Sequence, residues 1–127
     1  MKGAYILLIN LEQDCTIHIG ALGDLLFHAG RYCYIGSACG PGGIDARVAR
    51  HMRQEKKLRW HIDYLLEYGV IESVFVKEGG DEVETARILS ETLESVPGFG
   101  ASDSPLKSHL FVCPRPGIIP LGFQPYL

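Results

Sequence analysis

Apolar and polar positions along this chain follow three patterns. Residues 3–10 (GAYILLIN) are apolar and rich in strand formers. A polar turn at Glu12, Gln13 and Asp14 leads into residues 16–19, so the pattern predicts a hairpin between the two runs. Residues 25–27 and 31–36, either side of Ala29-Gly30, read as a second strand pair, aromatic and too short for a helix. Gly40-Pro41-Gly42-Gly43 then breaks the chain, and a helix begins at Gly43 or Asp45 and runs to about residue 54. On a helical wheel Ile44, Val48 and Met52 share one stripe, with Arg47, Arg50, His51 and Gln54 on the neighbouring one. A second helix is expected over residues 58–68, ending at Gly69. A strand over 70–77, a turn at Gly79-Gly80 and a helix over 82–95 follow, the helix turning Ala86, Leu89, Leu93 and Val96 inward. Residues 110–113 suit a last strand, and four prolines between Pro114 and Pro125 predict an extended tail over 114–127.

These elements predict an α/β (α+β) fold: one domain over 1–127, with a small, mainly antiparallel sheet flanked by helices. With 127 residues, 46% apolar and 21% charged, the composition is that of an ordinary globular domain. The longest apolar run, Ala4 to Ile9, is far too short to span a bilayer, and no signal peptide is expected. Cys15, Cys33, Cys39 and Cys113 show no C-x-x-C pair and are expected to be reduced cytoplasmic thiols.

Charge changes the picture. The formal net charge of −3 argues against a nucleic-acid partner. Yet Arg47, Arg50, Arg53, Lys56, Lys57 and Arg59, half of all Lys and Arg, fall within residues 46–59. A concentrated basic patch is what a phosphate backbone requires, although a solvated helix face would look the same. Glu82 is the other unusual charge. The wheel places it between Leu89 and Leu93 on the apolar side, with Glu84 and Glu91 on the opposite face. An inward carboxylate needs a partner or a metal, whereas a first-turn acid favoured by the helix dipole needs neither.

Three short motifs line up in order: Gly3-Ala4-Tyr5, Tyr34-Ile35-Gly36, and Arg47 with Arg50-His51 after the glycine loop. Together with Glu82 they resemble the GIY-YIG nuclease family. The strings GSACGPGG, WHIDYLL (from Trp60) and PGFGASD (from Pro97) resemble its small Uri-type endonuclease branch. The resemblance covers nearly the whole chain. It implies a metal-dependent DNA endonuclease that hydrolyses phosphodiesters to 5′-phosphate and 3′-hydroxyl ends, in DNA repair or processing. Tyr5 would activate the water, Tyr34 would position it, Arg47 would stabilise phosphate charge, and Glu82 would hold Mg²⁺ or Mn²⁺. Tyr5 and Tyr34 stand 29 residues apart, more than the family commonly leaves, so a hairpin must be inserted between them. The family's Asn near the domain end is missing, Asn10 being the only Asn, with Ser108 or His109 as possible substitutes.

The chemistry suits these residue types. An arginine fork matches phosphate oxygens, and one carboxylate with several waters commonly holds Mg²⁺. A tyrosine, with a reference pKa of about 10, serves as a base only if a cation lowers that value. Arg50, His51, Arg53, Lys56 and Lys57 are the expected nucleic-acid contacts, although a helix-surface histidine is often idle. His61 and Asp63, two apart on a helix, share no face and with Trp60 look more like packing and hydrogen-bonding residues. Asp103 and His109 are weaker candidates, and a zinc site from Cys33, Cys39 and His51 lacks ligand spacing. The alternative reading is a catalytically weak nucleic-acid-binding module that partners a repair enzyme. A structural or protein-interaction domain stands behind both.

Overall fold

The computed structural model describes residues 1–101, 108–114 and 118–126. Its framework is a five-stranded, fully antiparallel sheet, so the fold is α+β. The central strand, β1 (Gly3–Leu11), is flanked by β4 (Gly30–Ala38) and β5 (Val70–Glu78). β6 (Leu110–Val112) lies outside β4, and β7 (Gln124–Pro125) outside β5. β2 (Cys15–His18) and β3 (Asp24–Phe27) form a separate hairpin joined by a 3-10 turn at Gly20–Leu22.

β1 reads as an unbroken apolar run because both of its faces are covered. Tyr5, Leu7, Ile9 and Leu11 point into one core with Ile44 and Val48 of α1 (Gly43–Met52) and Ile62 and Leu65 of α2 (His61–Leu65). Ile6 and Leu8 point into a second core with Ala86 and Leu89 of α3 (Glu82–Ser90). Burying one medium-sized aliphatic side chain contributes about 1.5–3 kcal/mol, so each face holds β1 strongly.

The expected hairpin between residues 3–10 and 16–19 does not form: β2 pairs with β3, and β1 takes β4 and β5 instead. A hairpin does form between β1 and β4, however, from β2 and β3. Its Ile17, Ile19 and Phe27 complete the first core. Its position also explains how Tyr5 and Tyr34 stay neighbours despite their long separation in sequence. β1 and β4 run antiparallel with Tyr5 opposite Gly36 and Leu7 opposite Tyr34, so the two tyrosines are diagonal neighbours on one face. The extra residues lengthen only the far connection between Leu11 and Gly30.

Other boundaries move for local reasons. α2 is shorter than the expected 58–68, since residues 53–60 leave α1 without helical structure and Trp60 serves as its N-cap. Met52, expected in the apolar stripe, is the last residue of α1 and is exposed. α3 stops at Ser90 rather than 95, although Leu93 and Val96 still pack on the cores. Asp81 caps it by accepting from the backbone N–H of Val83 and Glu84. Of the proline-rich tail, the described part closes back on the sheet as β7, and the Tyr126 hydroxyl donates to Asp45 of α1.

Candidate active site

A cleft of about 410 Å³ opens at the end of β1 and β4 and is lined by Tyr5, Tyr34, Arg47, Arg59, Trp60 and Glu82, with Ser37, Cys39, His61 and several glycines on its rim. Tyr5 lies flat across β4. A Cβ at Gly36 would overlap the Tyr5 ring and hydroxyl, so the glycine opposite Tyr5 is a spatial requirement. At the start of α1 the backbone needs another: Gly43 has φ +60°, and a side chain there would strike the Met1 carbonyl.

Behind the cleft wall, the Tyr5 hydroxyl and His51 Nε2 are 2.7 Å apart and both residues are buried. Burial drives the His51 pKa down to about 3, against the opposing pull of Asp63, so the ring is neutral at pH 7. The phenol and the imidazole share one hydrogen bond whose donor is set by the His51 tautomer, the Tyr5 hydroxyl donating when the ring proton is on Nδ1. His51 was expected on the helix surface against phosphate. At 2% exposure it cannot be there, because the wheel sets it beside Ile44 and the fold treats it as core.

Tyr5 and Tyr34 also depart from expectation. A tyrosine base needs a nearby cation or metal-bound water to lower its pKa, and Arg47 does pull in that direction. Burial wins, and both phenols are pushed well above the usual tyrosine range, Tyr5 further by Tyr34 and Tyr34 further by Glu82. The Tyr34 ring packs edge-on against His51 and Phe99.

Glu82, the first residue of α3, reaches this cleft as the wheel indicated, with its side chain 31% exposed. Burial raises its pKa, and Arg47 draws it back down. Glu84 faces outward and pairs with Arg87. Behind Glu82 lies buried His109, whose Nδ1 is 3.9 Å from Glu82 Oε2 and whose pKa burial depresses. Ser108 closes its hydroxyl on both the N–H and the carbonyl of Leu110, away from the cleft. Asp103 lies outside the described residues.

The expected basic face is partly dismantled by the fold. Arg50 is not free: its fork binds the fully buried Asp63 at 2.8 and 2.9 Å and also the Lys57 carbonyl. Asp63 further accepts the backbone N–H of Arg59 and Trp60, so it is a capping and bracing residue, as its sequence position suggested. Lys56 donates to the His51 and Arg53 carbonyls at the end of α1, where a cation complements the helix dipole. Arg53 and Lys57 remain exposed. His61 accepts the Gly100 N–H at Nδ1 and borders the cleft.

Two site residues went unassigned in the sequence, Arg59 and Trp60. The guanidinium carbons of Arg47, Arg50 and Arg59 lie 4.6, 4.1 and 5.9 Å from the Trp60 ring centroid. Their signal was present in the basic run ending on the chain's single tryptophan, but only the connection between α1 and α2 reveals that this ring faces the cleft.

Among the described residues no three His, Cys, Asp or Glu side chains cluster as a cage for a metal ion. The donor set nevertheless fits Mg²⁺, which keeps most of its waters and takes one or two carboxylates. Glu82 is such a carboxylate, aimed into the cleft with its charge made costly by burial.

Fold and cleft thus define a small α+β domain whose central strands carry a tyrosine–arginine–glutamate cleft at one end. The chain belongs to the family described as Domain of unknown function DUF123, which matches residues 4–119. No curated protein and no solved structure matches the chain. Among the described residues, no helix is long and apolar enough to cross a membrane.

Proposed function

We propose that this domain is a GIY-YIG-like, metal-assisted DNA endonuclease that hydrolyses a phosphodiester to 5′-phosphate and 3′-hydroxyl ends in DNA repair or processing. The observation that carries the reading is convergence: Tyr5, Tyr34, Arg47 and Glu82, from four separate elements, line one cleft. Arg47 offers its fork to the non-bridging oxygens, where charge grows as the bond breaks. Tyr5 contacts the attacking water. With His51 in the tautomer that accepts at Nε2, the phenol proton passes to that nitrogen as Tyr5 takes the water proton, and the leaving 3′ oxygen takes its proton from solvent water. His51 alone is a weak base, and the negative charge of a phosphodiester in the cleft raises its affinity for the proton. Glu82 would hold Mg²⁺ or Mn²⁺ through a shell of waters. The ion would supply charge neutralisation at the phosphoryl and leaving oxygens. The four free thiols suit a reducing cytoplasm, and burial pushes Cys33 up to about 12, leaving it unreactive.

One observation favours the alternative, a nucleic-acid-binding module beside a repair enzyme: burial drives both phenols away from the range of an effective base. A cleavage assay decides between them. Nicked, branched, mismatched and single-stranded DNA are incubated with Mg²⁺ or Mn²⁺, with the Tyr5→Phe protein in parallel. Cutting that Tyr5→Phe abolishes supports the enzyme. Binding without any cutting supports the module.

A further inference from the structure

Of the six cations in residues 46–59, the fold consumes two: Arg50 is held by Asp63, and Lys56 by the end of α1. Arg47 and Arg59 are different. Both line the cleft, Arg47 lies 4.6 Å and Arg59 5.9 Å from the Trp60 ring centroid, and among the described residues neither forms a salt bridge. A guanidinium held over an aromatic ring can still direct N–H groups at oxygen, as Arg47 does toward the Tyr5 hydroxyl. Two such forks on one ring, from α1 and from the segment before α2, are two anchoring points and not one.

We propose that the cleft binds two successive phosphates of one nucleic-acid strand. Arg47 takes the phosphate that is cut, Arg59 takes its neighbour, and the Trp60 indole is the wall between them. Asp63 makes this possible in two ways. It cancels the charge of Arg50, the third cation at the ring, and its bonds to the Arg59 and Trp60 N–H groups fix both residues at the rim. The cleft, about 410 Å³, is the size of a small-ligand pocket, which suits a dinucleotide segment better than the broad face of a duplex. The inference rests on the proposed function only in naming the Arg47 phosphate as the one cut.

The test uses Trp60 itself, because it is the only tryptophan and its emission reports the cleft directly. The full chain is titrated in Ca²⁺ with thymidylyl-thymidine, which has one phosphate, and with its 5′-phosphorylated form, which has two. The second ligand is expected to bind about tenfold more tightly, the scale of one added charge-assisted contact. Arg59→Ala should bring the two ligands within about twofold of each other and reduce the salt slope for single-stranded DNA by about 0.7. Lys77→Ala, exposed on β5 and outside the cleft lining, should preserve the preference. Equal affinity of the wild-type protein for both ligands overturns the proposal. So does an Arg59→Ala protein that keeps the preference, or an indole emission that ignores both ligands. A protein that cuts no DNA but passes these tests loses the endonuclease reading and keeps the two-phosphate subsite.

Discussion

The Tyr5 hydroxyl stands 2.7 Å from Nε2 of a histidine that burial keeps neutral, and that one contact joins the central strand to helix α1 behind the cleft. The burial of His51 sets a pH dependence of stability. His51 has a folded pKa near 3 and an unfolded value of about 6.5. Between those values the unfolded chain binds the extra proton, so stability rises with pH through the window and is lost as pH falls below about 6.5. His61 and His109, also depressed by burial, act in the same direction, and Glu82, raised by burial, opposes them weakly. Between pH 7 and pH 5 the expected loss is about 2 kcal/mol. Calorimetric melts of the wild type and of His51→Gln check it, the variant giving the flatter profile.

Arg47 and Arg50, one turn apart on α1, should fail in different ways. Arg47→Ala removes a donor used as charge develops, so kcat should fall about 10²–10³-fold with little change in KM. Arg50→Ala leaves Asp63 buried without its cation, which costs about 3–5 kcal/mol, and the loss should appear as a lowered melting temperature. Steady-state kinetics beside thermal melts separate the two, and a well-folded Arg50→Ala protein with weakened DNA binding would return Arg50 to the binding face.

Glu82→Gln should abolish Mg²⁺-dependent cutting and weaken Mn²⁺ binding measured by electron paramagnetic resonance, while DNA retention persists. Glu84→Gln should be nearly silent in both, because Glu84 only pairs with Arg87 at the surface.

Gly36→Ala places a methyl where the Tyr5 ring lies. Overpacking of this kind costs about 1–3 kcal/mol, and the displaced hydroxyl should lose His51, so cleavage should drop at least tenfold. Gly40→Ala, in open space on the cleft rim, serves as the control. Melting curves and cleavage rates of the two variants provide the comparison.

Much of this was legible in the residues, and the failures share a cause. The strands were readable because β formers cluster there, but their pairing was not: β1 passes over its sequence neighbour β2 to take β4 and β5, which no local pattern encodes. The inward phase of Glu82 and the outward phase of Glu84 followed from helical geometry alone. His51 lies on the same wheel only about 20° from Ile44, yet a polar residue beside an apolar stripe gives no sign of which side it joins until a partner such as Tyr5 exists. Arg50 shows the converse. Its charge suggested DNA, and its actual partner, Asp63, lies thirteen positions away, across a segment with no helix or strand of its own.

The place of β1 in the sheet also governs how the molecule comes together. The first strand of the chain pairs with residues 30–38 and 70–78, so both of its ladders close over long sequence separations. Loop-closure entropy is lost before such contacts return any energy, which makes central-strand insertion a slow step. During synthesis Tyr5 emerges early, but its strand stays single-sided until the chain has reached Glu78. The helix bearing Arg47 is complete by Met52, so the basic side of the cleft precedes the ladder that clamps Tyr5 from its second edge. A nascent chain halted before β5 therefore presents cations without a finished cleft.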